Sequence, residues 1–128
     1  MEEVIRKILK FRDDREWKQF HNPKDLAISI SLEAAELLEA FQWSGGDTEV
    51  PEKKVNMQEE LADVLIYCIM MADILELDIC QIIEDKLQKN VSRYPVEEAY
   101  GSRQKYTQLK KKGRSDVQDE DGHGETMS

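Results

Sequence analysis

Two stretches, SLEAAELLEAFQW (residues 31–43) and EELADVLIY (residues 59–67), decide how the rest of the chain is organised. Glu33 and Glu36 are three residues apart in the first stretch, and Glu60 and Asp63 are three apart in the second. Residues three or four apart share a helix face, so two facing helices would bring four carboxylates together. Four like charges cannot stay close without a cation, because their repulsion and loss of hydration are too unfavourable. All-oxygen ligands suit a hard divalent ion, and we therefore expect Mg²⁺, with Mn²⁺ as an alternative.

The composition is that of a soluble, helical protein. The chain has 128 residues, which suggests one domain, and it contains only 6 Gly and 3 Pro, which favours helices. A formal net charge of −9 argues against a nucleic-acid polymer as partner, since such partners normally require a basic surface. The sequence shows neither a signal peptide nor an apolar run long enough to span a membrane. Cys68 and Cys80 lie in apolar surroundings and are expected to be reduced thiols, so we predict a cytoplasmic protein.

Hydrophobic periodicity predicts four helices, over residues 2–20, 24–41, 52–76 and 79–91, and an all-α bundle built from them. The third helix is apolar almost all round from Leu61 to Leu77, which is typical of a buried central helix. Glu60 and Asp63 share a face with apolar residues of this helix, and acids are rarely buried without a partner. Asp73 is expected to be a surface charge. A single unit of this size would cover the third helix poorly, so we expect self-association.

Other side chains near the helix ends are candidates for substrate binding. Trp17, Phe20 and His21 could line a pocket for a flat ring, or the aromatic rings could merely cap the core. Lys86 and Asn90 fall within the apolar stripe of the fourth helix. Lys86 could extend from the edge of the core into solvent, or Lys86 and Asn90 could face the carboxylates as a cation and an amide, and the pattern is equally compatible with both. Residues 113–128 are polar and acidic, and we expect them to be a disordered tail after a domain of residues 1–112.

A metal held by carboxylates near Lys86, Asn90 and Arg93 would suit a polyphosphate, because the metal and the cations together offset its charge. A spare carboxylate could take the proton of an attacking water, and Glu33, Glu36 and Glu39 all remain candidates for this general base. No glycine-rich phosphate loop is present, so a motor-type NTPase is excluded. A ferritin-like di-iron bundle is disfavoured because its Glu-x-x-His motifs are missing. A non-catalytic helical interaction module with solvated acids remains a further alternative.

The chain resembles the all-α NTP pyrophosphatases of the MazG-like superfamily, and within them it is similar to the dCTP pyrophosphatase branch. The resemblance covers roughly residues 1–108. It rests on five stretches in the same order: REWKQFHNPKDLA, EAAELLEAFQW, EELADVLIY, KLQKNVSRYP and GSRQKYT. Five collinear stretches that include aromatic residues are much more specific than two spaced pairs of acids alone.

This resemblance implies Mg²⁺-dependent hydrolysis of a nucleoside triphosphate to the monophosphate and pyrophosphate, with dCTP or a 5-modified dCTP as substrate and nucleotide-pool sanitising as the role. A broad-specificity house-cleaning enzyme is the alternative. Four residues would be catalytic and bind the metal: Glu33, Glu36, Glu60 and Asp63. Seven residues would hold the nucleoside: Trp17, Lys18, Gln19, Phe20, His21, Trp43 and Tyr67. Four residues would lie near the phosphates: Lys86, Asn90, Arg93 and Tyr94. The resemblance also implies a homodimer or homotetramer with sites formed between subunits.

Overall fold

The computed structural model describes residues 1–101. Within this range the backbone forms α-helices and 3₁₀ turns and no β-strand, which confirms the predicted all-α class. The helices are α1 (Glu2–Asp14), α2 (Pro23–Glu39), α3 (Lys54–Ile74), α4 (Ile79–Arg93) and α5 (Val96–Ala99), with 3₁₀ turns at Trp17–Phe20 and Pro51–Lys53. The chain divides into two compact units, Met1–Ile79 and Cys80–Ser128.

α1 ends six residues earlier than the predicted boundary at residue 20. Its last turn closes with the amides of Arg15 and Glu16 donating to the carbonyls of Arg12 and Asp13. Glu16 then takes a left-handed conformation with φ 54°, and the chain enters the 3₁₀ turn Trp17–Phe20. Left-handed residues end many helices, but they are usually Gly or Asn. A glutamate in that position leaves no signal in the sequence, and for this reason the predicted boundary was wrong.

α2 begins at Pro23, one residue before the predicted start, and ends at Glu39, two residues before the predicted end. The Asn22 side chain accepts a hydrogen bond from the backbone amide of Asp25 at 2.9 Å, which satisfies one of the unpaired donors of the first turn. Pro23 occupies the first helical position, where its missing N–H is not needed. Leu26, 2% exposed, anchors this end of α2 in the core.

α3 is preceded by a loop that fixes its entry and is followed by a turn that fixes its exit. Before the helix, the Asp47 carboxylate accepts hydrogen bonds from the backbone amides of Glu49 and Val50. After the helix, Glu76 is left-handed with φ 56°, and the amide of Leu77 donates to the carbonyl of Ala72 at 2.8 Å. The second arrangement is a Schellman motif, which ends a helix by satisfying its last carbonyls.

The first unit is held together mainly by packing of α2 on α3, with α1 also packed on α3. Ile69, Met70 and Ala72 of α3 are buried in this core. Arg12 is buried with them, 2% exposed, and its Nη1 donates to the Asp73 carboxylate at 2.6 Å. The prediction that Asp73 is a surface charge was therefore wrong, because Asp73 pairs with a buried arginine from α1.

The described part of the second unit contains the rest of α4 and the short helix α5. α4 runs two residues beyond the predicted end, to Arg93, and α5 was not predicted. None of the helices in residues 1–101 combines the length and apolar character needed to cross a bilayer. The predicted tail, residues 113–128, and nearly all of the stretch GSRQKYT lie outside the described residues, so the domain boundary at residue 112 stays a prediction.

Candidate active site

Three of the four predicted acidic ligands meet where α2 packs on α3. Glu33 and Glu36 of α2 and Glu60 of α3 each offer a carboxylate oxygen, and these oxygens all lie within 4.8 Å of one another. The three-residue spacing on α2 puts its two acids on one face, and Glu60 reaches them from the neighbouring helix. We call these three residues the carboxylate cluster.

The close approach of these acids changes their protonation. Hydrogen bonding to Glu36, together with burial and the charges of Glu36 and Glu33, raises the pKa of Glu60 to about 7. Burial is the main cause of a raised pKa at Glu33, followed by a hydrogen bond to Glu36 and the charges of Glu36 and Asp63. In the absence of a cation, the proximity of these acids therefore favours the protonated forms of Glu60 and Glu33.

Asp63, the fourth predicted ligand, lies on α3 one turn beyond Glu60 and is more exposed. It is not part of the group whose oxygens lie within 4.8 Å, although its charge acts on Glu33. An aspartate side chain is one methylene shorter than a glutamate side chain, which limits its reach toward α2. Its role as a metal ligand stays a prediction.

Two carboxylate oxygens of the cluster have no hydrogen-bond partner among the described residues. Oε2 of Glu33 and Oε2 of Glu60 are both shielded from solvent and unpaired. Buried polar atoms nearly always have partners, so unpaired ones require an explanation such as an absent ion. An all-oxygen donor set with two unsatisfied oxygens fits a hard divalent cation.

A groove of about 220 Å³ runs from the carboxylate cluster along α2 and the start of α3. Glu36 and Glu60 form part of its wall, and the remaining lining residues are Leu37, Glu39, Ala40, Lys53, Asn56 and Met57. Sequence reasoning missed Lys53 and Asn56. Their spacing relative to Glu60 is that of one helix face, but their position beside the end of α2 depends on the loop before α3.

The predicted aromatic residues of the nucleoside site are open to solvent in the single chain. Trp43 is 86% exposed, Phe20 67% and Trp17 44%. Trp17 packs edge-on against Phe11 at 5.6 Å between ring centroids, and the Arg15 guanidinium lies 3.9 Å from the Phe11 ring centroid. The rings are therefore accessible to a ligand, and their assignment to the nucleoside stays a prediction.

His21 is half-buried at the end of the Trp17–Phe20 turn. Its Nδ1 is buried and has no hydrogen-bond partner within residues 1–101. Burial and, to a smaller extent, the positive charge of Arg12 lower the pKa of His21. Its imidazole is thus neutral at pH 7, and one ring nitrogen remains available to an uncharged polar group of a ligand.

The other predicted binding residues are distributed over three places. Lys18 and Gln19 line an open surface depression together with Asp13 and Glu16, not the groove beside the carboxylate cluster. Tyr67 is half-buried on α3. The predicted phosphate-binding residues belong to the second unit: Lys86, Asn90, Arg93 and Tyr94. Their predicted roles are not tested by the geometry of the first unit.

The sequence matches the MazG-like family over residues 28–109. It is 39% identical over 115 residues to dCTP pyrophosphatase 1 of Mus musculus. The aligned region covers 85% of this chain and 67% of the mouse protein. It is 36% identical over 114 residues to dCTP pyrophosphatase 1 of Homo sapiens, with the same coverage of 85% and 67%. Its structure is similar to that of a pyrophosphatase from Archaeoglobus fulgidus, with a TM-score of 0.66 and 44% identity over 74% of this chain and 92% of that one.

Fold, sequence and relatives agree on an all-α pyrophosphatase, which confirms the enzyme class implied by the sequence motifs. The chain belongs to the MazG-like family. The family match includes the whole carboxylate cluster and Asp63, because all four acids fall between residues 28 and 109.

Proposed function

We propose that the protein hydrolyses dCTP, or a 5-modified dCTP, to dCMP and pyrophosphate in a Mg²⁺-dependent reaction. The relatives named dCTP pyrophosphatase 1 support this substrate. The carboxylate cluster supports a divalent metal, and its all-oxygen chemistry favours Mg²⁺. The proposed catalytic domain is residues 1–112, and the proposed setting is cytoplasmic sanitising of the nucleotide pool by a homodimer or homotetramer.

The observation that supports this function best is the pair of unpaired oxygens in the carboxylate cluster. Solvated surface acids have water as partner, whereas Oε2 of Glu33 and Oε2 of Glu60 are shielded and unpaired among the described residues. Holding three carboxylates together in that state is unfavourable without a cation. A site for a divalent ion explains the arrangement, and a non-catalytic interaction module does not.

Glu33, Glu36 and Glu60 would hold the ion, with Asp63 as the predicted fourth ligand. When bound, the ion would offset the negative charge of the triphosphate and make a nearby water easier to deprotonate. The groove beside the cluster is large enough to receive part of a nucleotide, and its wall includes two of the ligands.

Glu39 is our candidate for the general base. It lines the groove with Glu36 and Glu60 but does not belong to the carboxylate cluster, so its carboxylate remains available to accept a proton. We expect Glu39→Gln to lower kcat about 100-fold while leaving the Mg²⁺-induced increase in melting temperature unchanged. Glu59→Gln, which removes an exposed acid of α3 beside the cluster, is the control and should retain full activity.

The function is tested by incubating the protein with each deoxynucleoside triphosphate and Mg²⁺ and measuring pyrophosphate and orthophosphate separately. We expect pyrophosphate and the nucleoside monophosphate as products, with dCTP turned over fastest. Glu60→Ala should abolish turnover and leave the helix content unchanged. Orthophosphate as the sole product would reject the reaction class, and a strong preference for a purine would favour the broad house-cleaning enzyme.

A further inference from the structure

Among residues 1–101, the wall of the groove beside the carboxylate cluster contains one cation, Lys53, and one amide, Asn56. Neither residue is needed to explain the cluster. The other polar residues of this part of the wall are the acids Glu36, Glu39 and Glu60. A lysine in an acidic groove would ordinarily pair with one of these acids, yet Lys53 forms no ion pair within 4.0 Å with any residue of the described range. Lys53 is therefore available to an anion that enters the groove.

The backbone that carries Lys53 is held in place by the preceding loop. Val50 is 3% exposed and has φ 42°, a left-handed conformation that is unfavourable for a β-branched residue. The Asp47 carboxylate stabilises it by accepting from the Val50 amide at 3.1 Å, and the Val50 carbonyl accepts from the Lys53 amide at 3.0 Å. The buried and hydrogen-bonded Val50 thus fixes the backbone position of Lys53.

We infer that Lys53 and Asn56 form a phosphate subsite that binds the pyrophosphate portion of the substrate at the end of the groove away from Glu33. This inference rests on the proposed function, because it presupposes a nucleoside triphosphate bound at the carboxylate cluster. Lys53 would act as a positioning residue that neutralises phosphate charge, and Asn56 would donate a hydrogen bond from its side-chain amide.

Charge favours the phosphate chain over the nucleoside as the occupant. A triphosphate entering a wall with three acids is repelled, and a metal in the cluster offsets that repulsion at only one end of the groove. A lysine further along the groove supplies the second positive charge. The cytosine base and the sugar are uncharged and gain little from an ammonium group, whereas an amide alone could serve them.

The two reaction products, pyrophosphate and dCMP, allow binding of the phosphate chain to be measured separately from binding of the nucleoside. We would measure the binding of pyrophosphate with Mg²⁺, and separately of dCMP with Mg²⁺, by calorimetry to the intact protein and to Lys53→Met. We expect pyrophosphate binding to weaken about tenfold in Lys53→Met, the size of one lost charge-assisted hydrogen bond. Binding of dCMP should be unchanged, Lys53→Arg should restore most of the affinity, and KM for the triphosphate should rise more than kcat falls.

Lys54→Met is the matched control, since Lys54 is the next residue, is also exposed, and does not line the groove. Both variants remove one exposed positive charge, so a general electrostatic effect would appear in both. Equal weakening in the two variants, unchanged pyrophosphate binding in Lys53→Met, or weakening of dCMP binding alone would overturn the inference. A protein that releases no pyrophosphate from any triphosphate would instead refute the proposed function itself.

Discussion

Glu60 is the residue whose chemistry depends most on the presence of a cation. Its pKa of about 7 in the metal-free protein lies above the ordinary value of 4.5. Between those values the folded protein binds more protons than the unfolded chain, so the stability of the metal-free protein falls as pH rises through this range. A cation needs the ionised form, so its stabilising effect should grow over the same range. We therefore expect the Mg²⁺-induced increase in melting temperature to be small at pH about 5 and large at pH about 8.

The measurement is thermal unfolding with and without Mg²⁺ across that pH range. Glu60→Gln removes the titrating group while keeping its size, and it should lose both the pH-dependent fall in stability and most of the metal effect. A metal effect that is the same at all pH values in the unmodified protein would contradict the placement of Glu60 in the metal site.

Trp43 is 86% exposed at the last position of the turn that follows α2, and a tryptophan so exposed has no role in the core. Stacking on a base would strengthen binding of the substrate and of the transition state alike, so it would act on KM rather than on kcat. We expect Trp43→Ala to raise KM for dCTP about tenfold or more with little change in kcat, as measured by steady-state kinetics. An unchanged KM would show that Trp43 does not touch the nucleoside.

The Arg12–Asp73 pair is the interaction between α1 and α3 that a single substitution tests best. Arg12 is 2% exposed, and Asp73 is the partner from α3 at 2.6 Å. Among the described residues, Arg12 has a second carboxylate partner, the neighbouring Asp13, at 2.8 Å. Removing one partner of a buried pair is strongly unfavourable because it leaves the other charge undercompensated. Since Asp73 is 30% exposed, we expect Asp73→Ala to lower the free energy of unfolding by about 2–3 kcal/mol.

Chemical denaturation measures this loss, and α1 itself provides the control. Lys10 and Asp14 form an ion pair at the same distance of 2.6 Å, but their side chains are 71% and 54% exposed. Exposed pairs contribute little, so Lys10→Ala should cost at most about 0.5 kcal/mol. Similar losses in the two variants would mean that burial of Arg12 does not determine the stability of the α1–α3 contact.

Helix boundaries were predictable where the sequence carries a local stop or start signal. Asn22 and Pro23 mark the start of α2, because a capping side chain and a proline at the first helical position are local chemistry. The end of α1 was missed because Glu16 takes a left-handed conformation that its residue type does not favour. Arg12 was missed as a core residue for a similar reason, since its burial depends on Asp73, a partner far along the chain.

The sequence predicted that Glu33, Glu36 and Glu60 converge, because they follow the helical period on two helices that pack together, whereas Asp63, predicted with them, lies outside this group. It did not predict Lys53 and Asn56, since they enter the groove only when the loop through Val50 places the start of α3 beside the end of α2. The spacing of residues along one helix can be predicted from the sequence. The proximity of Lys53 and Asn56 to α2 depends on tertiary structure, because the loop through Val50 determines it.

Two solvent-exposed leucines on α3 support the prediction that the protein self-associates. Leu61 and Leu65 are 51% and 55% exposed and stand one turn apart, so they form an apolar stripe on the helix surface. Apolar surface of this kind is commonly covered by a second copy of the chain. We expect the protein to be a dimer or tetramer by size-exclusion chromatography with light scattering, and Leu65→Glu to shift it to the mass of one chain with its helix content retained. Gln88→Glu adds the same charge at an exposed position of α4, outside this stripe, and should leave the assembly intact. A single-chain mass for the unmodified protein would contradict the predicted self-association, and loss of assembly in Gln88→Glu as well would assign the effect to charge rather than to the apolar stripe.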